Sequence, residues 1–187
     1  MTQFRTFFTI TAAAVAALSI PAQANAATAT ATATANIVKP LVMTGGGTLA
    51  FGQLITPSAA TFSNTFTVLA AATQTGTYCQ TGFVCSGTVA AAKFNLQGTN
   101  NTPLNLTVPL TATMTMTGFT GTGAAPTLTI NTLNSVATNN ASGVYVMSLP
   151  NSGAPGTDFY VGGSMTVTQA TVGGQYSGTF TVTADYQ

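Results

Sequence analysis

Residues 174–187 read GQYSGTFTVTADYQ and end the chain. From Tyr176 onward, apolar or small residues alternate with Ser, Thr and Asp. Successive side chains of a strand point to opposite faces, so this period of two predicts a terminal β-strand with one row facing a core. Such a strand either has partners on both sides or leaves an open edge that another strand must cover. The core-facing row comprises Tyr176, Gly178, Phe180, Val182, Ala184 and Tyr186.

The same alternation recurs along the rest of the chain and predicts further strands. Clusters of Gly, Asn, Pro and Ser separate them, and the triplet 45–47 is predicted to be a flexible turn. The strong helix formers Glu, Lys and Arg are almost missing. About nine short strands at roughly ten-residue spacing predict one all-β domain, an antiparallel sandwich over residues 39–187. The predicted strands include 62–69, 88–97, 104–110, 111–119, 127–133, 143–149, 159–168 and the terminal stretch.

The N-terminal segment has the pattern of a cleaved secretory signal. Arg5 precedes an apolar run from Phe7 to Ile20, and Pro21 then leads into small residues with A-x-A spacing. A membrane anchor is the alternative, but the run is shorter than the ~20 residues that a spanning helix needs. We therefore expect residues 1–26 to be a signal peptide that is removed during export.

Charged side chains are scarce in the chain that would remain. Lys39, Lys93, Asp158 and Asp185 are left, and their formal charges cancel. No basic surface for nucleic acid is expected from such a composition. A protein with no net charge tends to associate, which favours a protein that assembles with other copies.

The two cysteines, Cys79 and Cys85, lie close together in the sequence. In an exported protein this arrangement predicts one disulfide that closes a short loop. The chain-entropy model gives about 2 kcal/mol for so small a loop, so the bond would fix a local segment more than the whole domain. A metal site is not expected, because the chain has no His.

The chain offers few groups for catalysis. It lacks His and Glu, its two thiols are expected to be bonded to each other, and its carboxylates are Asp158 and Asp185. Proton or acyl transfer at neutral pH needs a base, an activated nucleophile or a metal. The sequence therefore predicts no enzyme activity, no cofactor and no small-molecule substrate.

Residues 28–35 read TATATATA and precede Asn36, Ile37 and Val38. One interpretation is a low-complexity linker. The other is an N-terminal extension, residues 27–38, that forms a strand only when it is paired. Alternating β-branched Thr suits an extended strand, although Ala on the other face buries little area. In this second interpretation the candidate donor-strand residues are Ala29, Ala31, Ala33, Ala35 and Ile37.

The end of the chain resembles the C-termini of fimbrial subunits assembled by the chaperone-usher route. Those subunits typically have a Gly fourteen residues from the end, alternating apolar residues and a penultimate Tyr, here Gly174, then Phe180, Val182 and Ala184, then Tyr186. Other segments are similar to an uncharacterised family of exported bacterial β-domains, related to the spore-coat-U-like subunits of archaic pili. These segments are IVKPL at 37–41, LAFG at 49–52, AKFNLQG at 92–98 and FYVGGSM at 159–165.

The resemblance implies an immunoglobulin-like sandwich that lacks its last strand. A periplasmic chaperone would fill the open groove first, and the N-terminal extension of the next subunit would replace it at an outer-membrane usher. The chain would then be a structural subunit of an adhesive cell-surface fibre, built from itself or from sister subunits, after transit through the periplasm. The alternative hypothesis is a self-complete sandwich, secreted or surface-displayed, that binds a surface or a glycan as a monomer.

Overall fold

The computed structural model of the protein describes residues 27–58, 61–135 and 142–187, without the side chains of 132–135. The predicted signal peptide, residues 1–26, lies outside the described residues. The chain divides into two units at Asn36, and the domain described below is Ile37–Gln187.

The domain is built from strands, and the predicted all-β antiparallel class is confirmed. All strand pairings between the described elements are antiparallel. The strands are β1 (Val42–Gly45), β2 (Ala50–Ile55), β3 (Ser63–Val68), β4 (Val84–Ala90), β5 (Ala92–Gln97), β6 (Pro103–Thr107), β7 (Thr111–Met116), β8 (Thr127–Ser135), β9 (Val144–Ser148), β10 (Thr157–Thr168), β11 (Tyr176–Ser177) and β12 (Thr183–Tyr186).

Three sheets organise these strands. The main sheet has the order β1-β5-β10-β8-β7-β11, and β3 also pairs with β10. A three-stranded sheet has the order β12-β6-β9, and β2 pairs with β4 in a two-stranded sheet. The end of the chain therefore contributes to two sheets: β11 pairs with β7 in the main sheet, and β12 pairs with β6 in the three-stranded sheet. Together the sheets form a curled half-barrel.

One cluster of buried side chains draws on all three sheets. Phe51 comes from the two-stranded sheet, Leu104 and Tyr145 from the three-stranded sheet, and Leu96 and Val161 from the main sheet. Burying an aliphatic or aromatic side chain of this kind contributes about 1.5–3 kcal/mol relative to leaving it exposed. The alternation seen in the sequence therefore places one row of each strand in a shared core.

Two predicted strands are each divided in the structure. The segment 88–97 contains the end of β4 and all of β5, which pair with strands of different sheets. The terminal stretch is also two strands, and the prediction of one continuous strand was wrong. Its partners β6 and β7 are separated by a segment that contains Pro109, which has no N–H to donate to a neighbouring strand. The sheet ladder is therefore interrupted between Gly178 and Val182.

The predicted disulfide between Cys79 and Cys85 is present. It closes the loop that carries Phe83. The centroid of the Phe83 ring lies 4.9 Å from that of Phe66 and 5.3 Å from that of Phe62. The hydroxyl of Tyr78, next to the disulfide, donates to the carbonyl of Phe51 in the two-stranded sheet. The bonded loop therefore inserts its aromatic side chains into the core.

The partly buried Tyr78 predicts a loss of stability in alkali. Burial raises the pKa of Tyr78 above its usual value of 10.0. The unfolded chain therefore releases this proton near pH 10 while the folded protein still holds it. The free energy of unfolding falls as pH rises above 10. Urea unfolding between neutral pH and about pH 11 should show this decline, and it should be smaller in Tyr78→Phe. An equal decline in both proteins would contradict the assignment to Tyr78.

Candidate functional site

The main sheet leaves a groove between its two edges. One wall is the chain that follows β1, Gly46–Leu49, and the other is the terminal segment from Tyr176 to Phe180. The space between them has a volume of about 380 Å³. We call it the edge groove. Its remaining lining residues are Phe94, Ala112, Thr113, Met114 and Ile130.

The floor of the edge groove is apolar. Phe94 from β5, Met114 from β7 and Ile130 from β8 all lie at its base. The ring of Phe94 stacks on Phe159 with centroids 5.2 Å apart, so the floor is continuous with the buried core. These side chains lie there because each of their strands turns every second residue inward. The groove therefore exposes the interior of the half-barrel.

Backbone hydrogen bonds attach each wall to the main sheet. The amides of Gly46 and Gly47 both donate to the carbonyl of Lys93, each over 3.3 Å. The amide of Thr117 donates to the carbonyl of Gln175 over 2.8 Å. In the sheet order of the described strands, β11 and β12 each have a neighbour on one side only. An edge of this kind can accept an added strand.

The terminal segment lies unusually close to β7 at Gly178. A Cβ placed there would meet the carbonyl oxygen of Thr113 and would lie 3.0 Å from the Cα of Met114. Beyond this contact the segment turns Phe180, Val182 and Ala184 toward the core, where they are half-buried. The missing side chain at Gly178 therefore allows this wall to sit against the floor.

A cluster of hydrogen bonds joins the end of the chain to the base of the N-terminal extension. The hydroxyl of Tyr186 accepts the amide N–H of Thr99 over 2.6 Å and donates to the carbonyl of Lys39 over 3.0 Å. The amide of Lys39 in turn donates to Oγ1 of Thr99 over 2.6 Å. A Cβ at Gly98 would collide with the Tyr186 hydroxyl. We call these bonds between Lys39, Thr99 and Tyr186 the Tyr186 clasp.

The N-terminal extension is exposed and has no assigned strand. Ile37, the largest of its candidate donor residues, has 84% of its surface exposed, and Val38 has 44%. Within the described part of the chain, hydrogen bonds of this region begin at Lys39. The other candidate donor residues are exposed too: Ala29, Ala31, Ala33 and Ala35.

The residues singled out in the terminal stretch serve different parts of the site. Tyr176 and Phe180 line the edge groove, whereas Val182 and Ala184 lie beyond it and Tyr186 belongs to the clasp. Gly174 precedes the groove, and a Cβ there would press on the side chain of Met116. Sequence reasoning did not identify the floor or the clasp partners. Met114 could have been predicted to face inward, because its strand alternates Thr with Ala and Met and so has one apolar face.

Charged groups lie outside the edge groove. Lys93 and Asp158 form an ion pair over 2.7 Å on the outer surface of β5 and β10. A hydrogen bond from Lys93, and a second from Asn95, lower the pKa of Asp158, and the bond to Asp158 raises the pKa of Lys93. The residues described contain no cluster of three or more His, Cys, Asp or Glu. Within them, no helix has the length and apolar character to cross a membrane.

The fold and the groove define an all-β antiparallel domain whose curled main sheet is open between its two edges. The chain belongs to the protein family described as "Domain of unknown function (DUF4402)", whose model matches residues 41–186. Neither the curated proteins nor the solved structures gave a match. The matched region covers the edge groove and the Tyr186 clasp except for Lys39, and it starts after the N-terminal extension.

The close approach at Gly178 predicts a steric penalty for Gly178→Ala. The three atoms nearest to the new Cβ all belong to the backbone of β7 and cannot rotate away. We expect a loss of about 1–3 kcal/mol in the free energy of unfolding, measured in urea. The matched control is Gly173→Ala, because a Cβ at Gly173 meets nothing within 4 Å. That control should be neutral or gain up to about 1 kcal/mol. Equal effects of the two substitutions would contradict the contact with β7.

Proposed function

We propose that this protein is a structural subunit of a bacterial cell-surface fibre, assembled by adding a strand of one subunit to the edge groove of another. One observation carries the proposal: two edges of a single curled sheet face each other across a groove whose floor is the apolar core. An inserted strand would hydrogen bond to these edges and cover the core with alternate side chains.

The strand order supports an immunoglobulin-like sandwich that lacks its last strand. In such sandwiches, strands A, B, E and D form one sheet and C, F and G the other. The order β1-β5-β10-β8 is similar to A-B-E-D. In the proposed correspondence β6 with β7 would be C, the terminal segment would be F, and the edge groove would take the missing G strand. The pairing of β7 with β8 joins the two sheets of the sandwich into one curled sheet.

The N-terminal extension has the length and pattern of a strand that would complete the sheet. At about 3.3 Å per residue, twelve residues span about 40 Å, and the eleven residues from Tyr176 to Tyr186 span about 36 Å. The alternation puts Ala29, Ala31, Ala33, Ala35 and Ile37 on one face and the Thr hydroxyls on the other. The Ala face would lie on the apolar floor of the edge groove, and Ile37 would supply the largest apolar contact.

The proposal includes partners for export. A subunit with an open apolar groove aggregates unless the groove is covered, because unpaired strand edges and exposed core surface associate readily. A periplasmic chaperone that inserts a strand of its own would protect the groove in transit. An outer-membrane usher would then exchange this strand for the extension of another copy or of a sister subunit.

A charged substitution in the groove floor tests the proposal. The protein without residues 1–38 is mixed with a peptide of residues 27–38. The affinity is measured by isothermal titration calorimetry or by the fluorescence polarisation of a labelled peptide. We expect the intact groove to capture the peptide and Met114→Asp to lower its affinity at least tenfold, because a carboxylate on the apolar floor would lose its water. Thr115→Asp is the matched control, since Thr115 lies on the exposed face of β7.

The full chain gives a second readout. Exported with its chaperone and usher, it should produce multimers that separate only on boiling in a denaturing gel. A chain without residues 27–38 should remain a folded monomer. The proposal would be contradicted if the peptide did not bind, or if it bound Met114→Asp as strongly as the unsubstituted protein. In that case a stable monomer without a chaperone would favour the secreted binding module.

A further inference from the structure

The outer surface of the main sheet is a regular array of small polar side chains. Four neighbouring strands, β7, β8, β10 and β3, each alternate core residues with Ser, Thr or Asn. All of the outward residues except Asn131 carry a hydroxyl group, and none of them is charged. We call this surface the hydroxyl face. Its residues are Thr111, Thr113, Thr115, Thr127, Thr129, Asn131, Ser164, Thr166, Thr168, Ser63, Thr65 and Thr67.

The strand register aligns these side chains in rows. Adjacent strands lie about 4.8 Å apart, and alternate residues of one strand lie about 6.6 Å apart, so the hydroxyl face repeats in two directions. One row crosses all four strands through Thr111, Asn131, Ser164 and Thr67. At the next positions the register pairs Thr113 with Thr129, Thr115 with Thr127, and Thr166 with Thr65.

The hydroxyl groups are largely held in place before any partner binds. Thr is branched at Cβ, which restricts rotation about χ1. The hydroxyls of Thr65 and Thr166 also hydrogen bond to each other over 3.0 Å, and the hydroxyl of Ser164 donates to the carbonyl of Asn131 over 3.0 Å. The side chains of the hydroxyl face therefore lose little conformational entropy when a partner binds.

The composition of the hydroxyl face limits what can bind to it. Its residues include no charged group to pair with an ion and no aromatic ring on which a sugar or a base could stack. Each hydroxyl can both donate and accept a hydrogen bond, and each Thr places a methyl group beside its hydroxyl. The partner that matches this chemistry is an uncharged, repeating surface whose own groups both donate and accept.

We infer that the hydroxyl face binds the surface of ice crystals. Ice is a lattice of uncharged molecules that each donate and accept hydrogen bonds, and its surface repeats over distances similar to the two spacings of the hydroxyl face. The twist of the sheet rotates neighbouring strands by about 20–25°, so a rigid lattice can match only a few strands at once. We assign the contact to β7 and β8, because every outward residue of these two strands is exposed.

Ice binding at this surface does not depend on fibre assembly. The side chains of the hydroxyl face alternate with Met114 and Ile130, which lie in the floor of the edge groove, and so point to the opposite side of the sheet. A single subunit would therefore bind ice with its edge groove empty or filled. A fibre would present many copies of the hydroxyl face to one crystal and would bind it more strongly than a monomer.

A lysine within the hydroxyl face tests the inference. A single ice crystal grows slowly from a dilute solution of the purified protein, and the protein concentration in the melted ice is compared with that of the starting solution. We expect the unsubstituted protein to be enriched in the ice. Thr129→Lys on β8 and Thr111→Lys on β7 should each lower this enrichment about tenfold, because an ammonium group would have to lose its water against the crystal. Thr107→Lys is the matched control, since Thr107 is an exposed strand residue of the three-stranded sheet.

The control should be enriched as strongly as the unsubstituted protein, and all four proteins should unfold at the same urea concentration. Exclusion of the unsubstituted protein from the ice would overturn the inference, as would equal enrichment of Thr129→Lys and Thr111→Lys. An equal loss in Thr107→Lys would also overturn it, because the added charge alone would then explain the effect. The two test substitutions lie on different strands, so if one variant does not fold, the other decides.

Discussion

The structure depends on the backbone edge of the terminal segment. Its hydrogen bonds run to one side, toward β6 and β7, and its other side faces the edge groove. The side chains of the same segment close part of the core. An edge strand is a liability in a monomer, because it is a template for pairing with other chains. Here that edge stands beside an apolar groove, which is why the proposed function places an added strand there.

The two ends of the domain Ile37–Gln187 meet at one point. Tyr186 is the penultimate residue, and Lys39 is where the N-terminal extension joins the domain. A phenolic hydroxyl can accept and donate at once, so one side chain bonds both Thr99 and Lys39. Gly98 makes this approach possible because it has no Cβ. A small set of local contacts thus links the two segments that the proposed assembly brings together between subunits.

Much of the fold could be predicted from alternation alone, and the site only in part. The period of two in segments such as Ser63–Val68 and Thr111–Met116 identified strands and their inner faces. Strand pairing is a long-range property, so local alternation could not reveal that 88–97 divides or that the terminal stretch changes sheets between Gly178 and Val182. The groove floor brings together Phe94, Met114 and Ile130 from three strands. Their proximity follows from how the strands pair, not from the spacing of these residues along the sequence. The clasp joins the hydroxyls of Tyr186 and Thr99 to backbone groups, which every residue carries, so its partners have no signature in the sequence.

The ion pair between Lys93 and Asp158 is an exposed contact on the outer surface. Exposed pairs of this kind contribute little, and dissolved salt screens them further. Main-chain bonds and apolar contacts, which hold this domain and would hold an inserted strand, do not depend on such screening. A filament made of these subunits would therefore have nearly the same cohesion in fresh water and in brine.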